Sequence, residues 1–348
     1  MDVLQPNIRF DIKASAHTLP DSPAITNIEI LQNFPRTADK SAAFQAKFAE
    51  KIHEEFGFLT RYWCHKPWKS LDDVRHLSSE SLSLDCVKKI FSTMDAKQLQ
   101  AFVLGSTTNK RYTGSQASAV LGHFGLSATA YDFKAGCSTS LASLHFAYAL
   151  MLLGYNRVLV SCAETLSKVI DPMNEKTWIG VADGAAALWL EKNETGPFTI
   201  EKSFFCTDGA YVDAYTTKGL LPPTQQQLDN EGYWLQGDET LLKELALSRY
   251  TQMINALLPT PKERAEISWI IPHQVNRQVI DYIVQQNQLT HSEVLWDADK
   301  IGNIGGASIL YTLARAVDEN IFNRKGKILM MSVGGGLSYA AQVISFEG

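Results

Sequence analysis

The stretch from Ser138 to Leu153 holds Leu141, Leu144, Phe146, Tyr148, Leu150, Met151 and Leu152 within one uninterrupted helical pattern. A helix that is apolar nearly all round has no face for water, so it belongs in a core. The approach to it, Ala-Tyr-Asp-Phe-Lys-Ala-Gly-Cys-Ser-Thr-Ser-Leu at 130–141, reads as an extended segment, a small-residue turn and a helix opening at Cys137 itself. A thiol in that place faces free backbone N–H groups and the positive end of the helix dipole, which favour the thiolate and lower its pKa. The pattern suits a cysteine nucleophile at the mouth of a buried helix. A small core residue is the ordinary alternative.

A chain of 348 residues, 45% hydrophobic and 20% charged, fills two domains or one double-sized one. A net charge of −5 without long basic runs argues against a nucleic-acid surface and an electrostatic membrane anchor. The apolar helix is too short, and too polar at its start, to span a bilayer. The opening Met-Asp-Val-Leu-Gln-Pro-Asn lacks the basic and apolar parts of a signal peptide. Cys64, Cys86, Cys137, Cys162 and Cys206 show no Cys-x-x-Cys spacing, which argues for a reducing compartment and against a disulfide frame or zinc site. The expectation is a soluble, cytoplasmic enzyme with no metal.

Strand signals followed by helical signals predict α/β architecture, and the chain repeats one plan. Residues 97–104 end in the loop Gly105-Ser-Thr-Thr-Asn-Lys, and Glu266-Ile-Ser-Trp-Ile-Ile ends in Pro272-His-Gln-Val-Asn. Gly136-Cys137 corresponds to Gly302-Asn303, each opening an apolar helix. Arg157-Val-Leu-Val-Ser-Cys matches Lys327-Ile-Leu-Met-Met-Ser, each leading to a glycine-bearing turn and a closing strand. The seam is expected near Asn193–Pro197, residues 65–79 as a surface loop (Asp72 and Asp73 within it), and Thr216–Gly232 as an exposed insertion.

Such a repeat brings corresponding loops together, so Cys137, His273 and Asn303 can meet although distant in sequence. His273 directly follows a buried strand and a proline, and Asn303 sits among small neighbours in Gly302-Asn-Ile-Gly-Gly-Ala-Ser. The Gly334-Gly335-Gly336 turn can aim a backbone N–H at a developing oxyanion.

From about Gly57 onward the chain resembles the thiolase-fold condensing enzymes, above all the β-ketoacyl-(acyl-carrier-protein) synthase III type and its ketosynthase relatives of secondary metabolism. Gly136-Cys137-Ser138, Asp171-Pro172, Ala182-Asp183-Gly184-Ala185, Pro272-His273-Gln274-Val275-Asn276, Gly302-Asn303 and Gly334-Gly335-Gly336 carry the resemblance. It implies a thiolase-like α/β fold of duplicated βαβαβαββ halves in a five-layered α-β-α-β-α arrangement. The halves would be 1–195, with the nucleophilic cysteine, and 196–348, with the histidine and asparagine. It implies Cys137 as acyl acceptor, His273 and Asn303 as its partners, the N–H groups of Cys137 and Gly335 as oxyanion hole, and Asp183 as a structural turn residue. The reaction implied is a decarboxylating Claisen condensation with a malonyl-type or β-ketoacyl thioester. No cofactor is implied beyond coenzyme A or acyl carrier protein bearing the substrates. A homodimer is expected, or a heterodimer with a related ketosynthase, in which Tyr112 lines the partner's acyl tunnel. The alternative is acyl transfer from the cysteine to an alcohol or amine.

The family's two arginines for the nucleotide of coenzyme A are replaced here by Glu55 and Glu175, leaving Lys176 as the nearest substitute. The helix after His273, used by relatives to dock carrier protein, is weakly basic. Val333 stands where the housekeeping type has phenylalanine and is expected to leave room beside Cys137. A specialised ketosynthase with an unusual donor is the expectation. Cys64 and Cys162 read as structural, as do His123 and His145; Glu164 reads as a loop holder, and Asp208, Asp213 and Asp229 as solvated.

Overall fold

The computed structural model describes residues 2–69, 77–171, 173–229 and 232–348. Asp72, Asp73 and Pro172 lie outside them, as do the side chains of Glu175, Lys176 and Glu239. One mixed sheet of 10 strands organises the chain. Its strands are β1 (Ile8–Thr18), β2 (Ala101–Gly105), β3 (Thr129–Phe133), β4 (Arg157–Thr165), β5 (Asp183–Lys192), β6 (Phe198–Thr207), β7 (Ile267–Pro272), β8 (Glu293–Val294), β9 (Gly326–Gly334) and β10 (Ser338–Phe346). Their spatial order is β8-β7-β9-β10-β6-β1-β5-β4-β2-β3. Read inward from either edge, the third strand of a set comes first, then its second, fourth, fifth and first.

The pairings repeat with the order. β2 runs parallel to β3 and β4, β4 antiparallel to β5, and β5 antiparallel to β1. The set β6 to β10 shows the same senses. The two sets join where Ile8, Arg9 and Phe10 of β1 pair with Ile200, Thr199 and Phe198 of β6.

Six helices complete the layers: α1 (Ser79–Phe91), α2 (Gln116–His123), α3 (Thr139–Leu152), α4 (Glu239–Leu257), α5 (Arg277–Gln286) and α6 (Ser308–Asp318). α3 and α6 lie between the two strand sets, α1 and α2 cover the outer face of one, and α4 and α5 that of the other. This is the expected five-layered order. Strands covered on both faces are apolar at consecutive positions. In β4, Val158, Val160 and Cys162 face the central layer, while Leu159 and Ala163 face α1. In β9, Ile328 and Met330 point inward, and Leu329, Met331 and Val333 outward. The largely apolar α3 thus finds protein around most of its length, with only its end at Leu152 exposed.

Local signals shift some expected boundaries. The strand expected over 97–104 begins only at Ala101, because the Asp95 side chain caps a short turn over Ala96–Gln98. His65, expected on the surface, is buried, with its N–H on Ser167 Oγ. Asp208 is not merely solvated: it accepts from Arg249 Nη2 of α4 at 3.0 Å. Leu220 and Leu221 in the expected insertion are exposed.

The central position of α3 sets an expected outcome. Leu144→Ala, in the buried middle of the helix, should cost about 2–5 kcal/mol, and Leu152→Ala at its exposed end about 0.5 kcal/mol or less. Urea denaturation measures both; matching midpoints would contradict the layer order.

Candidate functional site

β3 ends at Phe133, and the turn Lys134–Ser138 delivers Cys137 to the start of α3. The helix begins at Thr139, two residues later than expected, and its N-cap Ser138 makes no side-chain capping bond. Gly136 has φ +54°, and a Cβ there would lie 2.5 Å from Gly335 O. A Cβ on Gly334 would lie 2.4 Å from Cys137 N. These two turns therefore meet backbone to backbone, which glycine alone permits. Ser332 Oγ donates to Cys137 O at 2.9 Å, and Ser138 Oγ to Ser338 O at 3.0 Å, tying the cysteine turn to the β9–β10 hairpin.

The N–H groups of Gly335 and Cys137 face the sulfur and favour its charged form. They do not prevail. Burial, helped by the charge of Glu164, pushes the Cys137 thiol up to about 12. The expectation of a lowered pKa is thus reversed: loss of water outweighs the two donors.

His273 extends the β7–β9 pairing by one residue, its N–H donating to Met331 O at 2.8 Å. Met331 precedes Ser332, so neighbouring residues of β9 hold His273 and Cys137. The imidazole is buried with Nδ1 3.0 Å from Ser308 Oγ, and burial holds it down to about 4. It is therefore neutral at ordinary pH.

Asn303 is fixed at three points. Its N–H donates to Gly180 O at 2.7 Å, its carbonyl accepts from Ala182 N at 2.8 Å, and its Oδ1 accepts from Gly305 N at 2.9 Å. With Oδ1 engaged in the loop, the Nδ2 end is left to donate elsewhere. Gly305 has φ +53°, and its carbonyl accepts the Ser308 backbone N–H and lies 2.9 Å from Ser308 Oγ. One glycine thus orients the asparagine amide with its N–H and the serine that touches His273 with its carbonyl. A Cβ on Gly306 would sit 2.8 Å from Gly136 O, so this loop lies on the cysteine turn. The structure brings Cys137, His273, Asn303 and Gly335 onto one hydrogen-bonded frame.

Glu164 is buried behind it and accepts from the N–H and hydroxyl of both Thr107 and Thr108, at 2.6–3.1 Å. Burial raises it to about 7. It holds the root of the loop bearing Tyr112, whose ring is 81% exposed in the single chain. Val333 packs outward with Tyr250, Leu337 and Tyr339. Asp183 accepts from Cys64 N and Ser167 N, a turn-holding role. Cys162 is core, and His145 Nδ1 meets Ser203 Oγ at 2.8 Å. The side chain of Lys176 is outside the described part. Among the described residues, no three metal-ligating side chains cluster.

Sequence reading missed Ser308, Gly305 and Tyr215. Tyr215 O would lie 2.2 Å from a Cβ on Gly335, so the strand Tyr215–Thr217 backs the glycine turn. Ser308 and Gly305 stand in the Asn303 motif, but their partners are set only by folding.

Comparison with known proteins agrees with this architecture. The family model of 3-oxoacyl-(acyl-carrier-protein) synthase III matches residues 131–209, and that of its C-terminal part residues 261–346. The β-ketoacyl-(acyl-carrier-protein) synthase III of Streptococcus gordonii is 30% identical over 316 residues, covering 89% of this chain and 94% of its own. The 3-oxoacyl-(acyl-carrier-protein) synthase III of Aquifex aeolicus superposes with a TM-score of 0.81 at 22% identity, over 97% of this chain and 100% of that one. A priming β-ketosynthase from a polyketide pathway gives 0.79 at 20% identity, over 99% and 98%. A shared layer order, and a sequence match along nearly the whole length, place this chain in the 3-oxoacyl-(acyl-carrier-protein) synthase III family of thiolase-fold condensing enzymes.

Proposed function

We propose that the chain performs a decarboxylating Claisen condensation through an acyl group carried on Cys137. The observation that carries this reading is the fixed amide of Asn303, turned so that it donates, on the same frame as a partly accessible cysteine and a neutral histidine. The Cys137 sulfur attacks an acyl thioester, the N–H groups of Cys137 and Gly335 hold the tetrahedral oxyanion, and the thiol proton ends on the departing thiol. A malonyl-type thioester then loses carbon dioxide. The electron pair of its broken carbon–carbon bond passes into an enolate whose oxygen accepts from His273 Nε2–H and Asn303 Nδ2–H. Its carbon attacks the acyl-cysteine, the β-ketoacyl thioester leaves, and Cys137 takes up one proton. No step needs a charged histidine, which suits its burial.

The donor is a specialised one in this reading, as in secondary metabolism. Glu55, and Glu175 beside Lys176, stand where relatives bind the nucleotide of coenzyme A through arginines. Arg277 on α5 is engaged by Asp281 at 2.9 Å, which weakens that helix as a dock for acidic carrier protein. The exposed ring of Tyr112 supports a homodimer in which it enters the partner's tunnel.

Incubation with acyl thioesters, with and without a malonyl thioester, separates the steps by intact mass and carbon dioxide release. Cys137→Ala should take up no acyl group; persistent labelling would remove the cysteine from the mechanism. Asn303→Ala should still acylate but release carbon dioxide about 10²–10³-fold more slowly. Unimpaired release would refute the enolate assignment and leave simple acyl transfer.

The raised thiol makes a separate pH prediction. Burial favours the uncharged form, so the thiolate fraction should keep growing as pH rises towards about 12. Iodoacetamide labelling of Cys137 should accelerate about tenfold per pH unit between roughly pH 6 and 10, with no plateau. A plateau starting near neutral pH would mean a preformed thiolate.

A further inference from the structure

Resting on the condensing reading above, we propose that Ser308 is a positioning residue for His273: its hydroxyl fixes the ring plane and holds the tautomer that carries the proton on Nε2. Ser308 is buried at the first residue of α6, with Oγ 3.0 Å from His273 Nδ1 and 2.9 Å from Gly305 O. A hydroxyl has one proton to give. Gly305 O already accepts the backbone N–H of Ser308, so it keeps a partner when the hydroxyl turns to Nδ1. The ring nitrogen Nδ1 can either donate to Oγ or accept from it, and the condensing reading, which needs the hydrogen on Nε2, selects acceptance. The hydroxyl therefore donates to Nδ1, and Nε2 bears the hydrogen that the enolate oxygen needs.

A neutral partner also matters for what it does not do. A carboxylate in the place of Ser308 would accept from Nδ1–H, favour the imidazolium and strip the neutral ring of its Nε2–H form. The backbone geometry serves the same end. Gly305, in its left-handed conformation, presents N–H to Asn303 Oδ1 and its carbonyl to the Ser308 backbone N–H, so both enolate donors are set from one residue. Substitution of Ser308 should thus disturb decarboxylation, which uses Nε2–H, and spare cysteine acylation, which does not.

The test combines ¹⁵N-histidine NMR of the full chain with the two half-reactions. In the wild type, His273 should show the Nε2–H tautomer. Ser308→Ala should slow carbon dioxide release about 10- to 100-fold while acylation stays within about twofold, and Ser308→Thr should restore most of the loss. Ser308→Asp should give the Nδ1–H or imidazolium signature with a deeper loss of release. An Nδ1–H signal in the wild type overturns the proposal without any variant, and so does wild-type release by Ser308→Ala. His273→Ala separates the levels: if it too condenses normally, the condensing role of His273 is wrong, whereas if it is inactive and Ser308→Ala is not, only the role of Ser308 falls.

Discussion

Everything at this site depends on two turns pressed together with no side chain between them. Gly136 and Cys137 approach Gly334 and Gly335 so closely that a methyl group on Gly136 or Gly334 would overlap the opposite backbone. That approach places the Gly335 N–H at the sulfur, and it lets Ser332 reach the cysteine carbonyl while the preceding residue, Met331, receives the His273 N–H. The contact spans the two strand sets. It can form only when both are folded and the central helices hold them at the right spacing.

The same compactness decides the electrostatics. Burial drives every titratable group here towards its uncharged form: Cys137 up, Glu164 up, Tyr250 up, His273 down. Hydrogen-bond donors oppose the trend at Cys137 and Glu164 without reversing it. A site of neutral, preoriented dipoles stabilises charge that arises on a substrate better than charge of its own. It also explains why an amide and an imidazole stand where a fixed cation would otherwise be needed, since a buried cation would lose more in desolvation than it returns.

Much of this was legible in the chain. The apolar residues of α3 called for a place in the core, and the matched strand–turn–helix segments foretold a duplicated plan, which the sheet shows as one strand order read from either edge. Cys137 and His273 come off strands, where such folds gather side chains, while Asn303, expected to do the same, follows a short helix over Ala298–Ile301. The sequence misled on one thing and was silent on two. The thiol's state depends on how much of the fold packs around it, which local helix position does not reveal. Tyr215, just before the expected insertion, reaches Gly335 along a path no periodicity encodes. Ser308 looked like one more small residue, and its importance comes from a ring brought to it from 35 positions away.

The repeat itself suggests how one turn came to serve two tasks. Gly136 and Gly302 occupy corresponding places, and both adopt positive φ, at +54° and +76°. Each is followed by the residue that does the chemistry and then by a helix of the central layer, α3 after Cys137 and α6 after Asn303. The two turns differ in what comes next. After Cys137, the N–H groups of Ser138 and Thr139 turn back to Ala135 O and Gly136 O, and those of Cys137 itself and Gly335 face the sulfur. After Asn303, a tight turn through Gly305 and Gly306 folds back on the asparagine and consumes its carbonyl oxygen. Corresponding places in the repeat with different local hydrogen bonding make one turn suited to negative charge at a sulfur and the other to presenting a donor to the substrate. The division of labour is therefore written in the two or three residues behind each turn rather than in the layers that carry them.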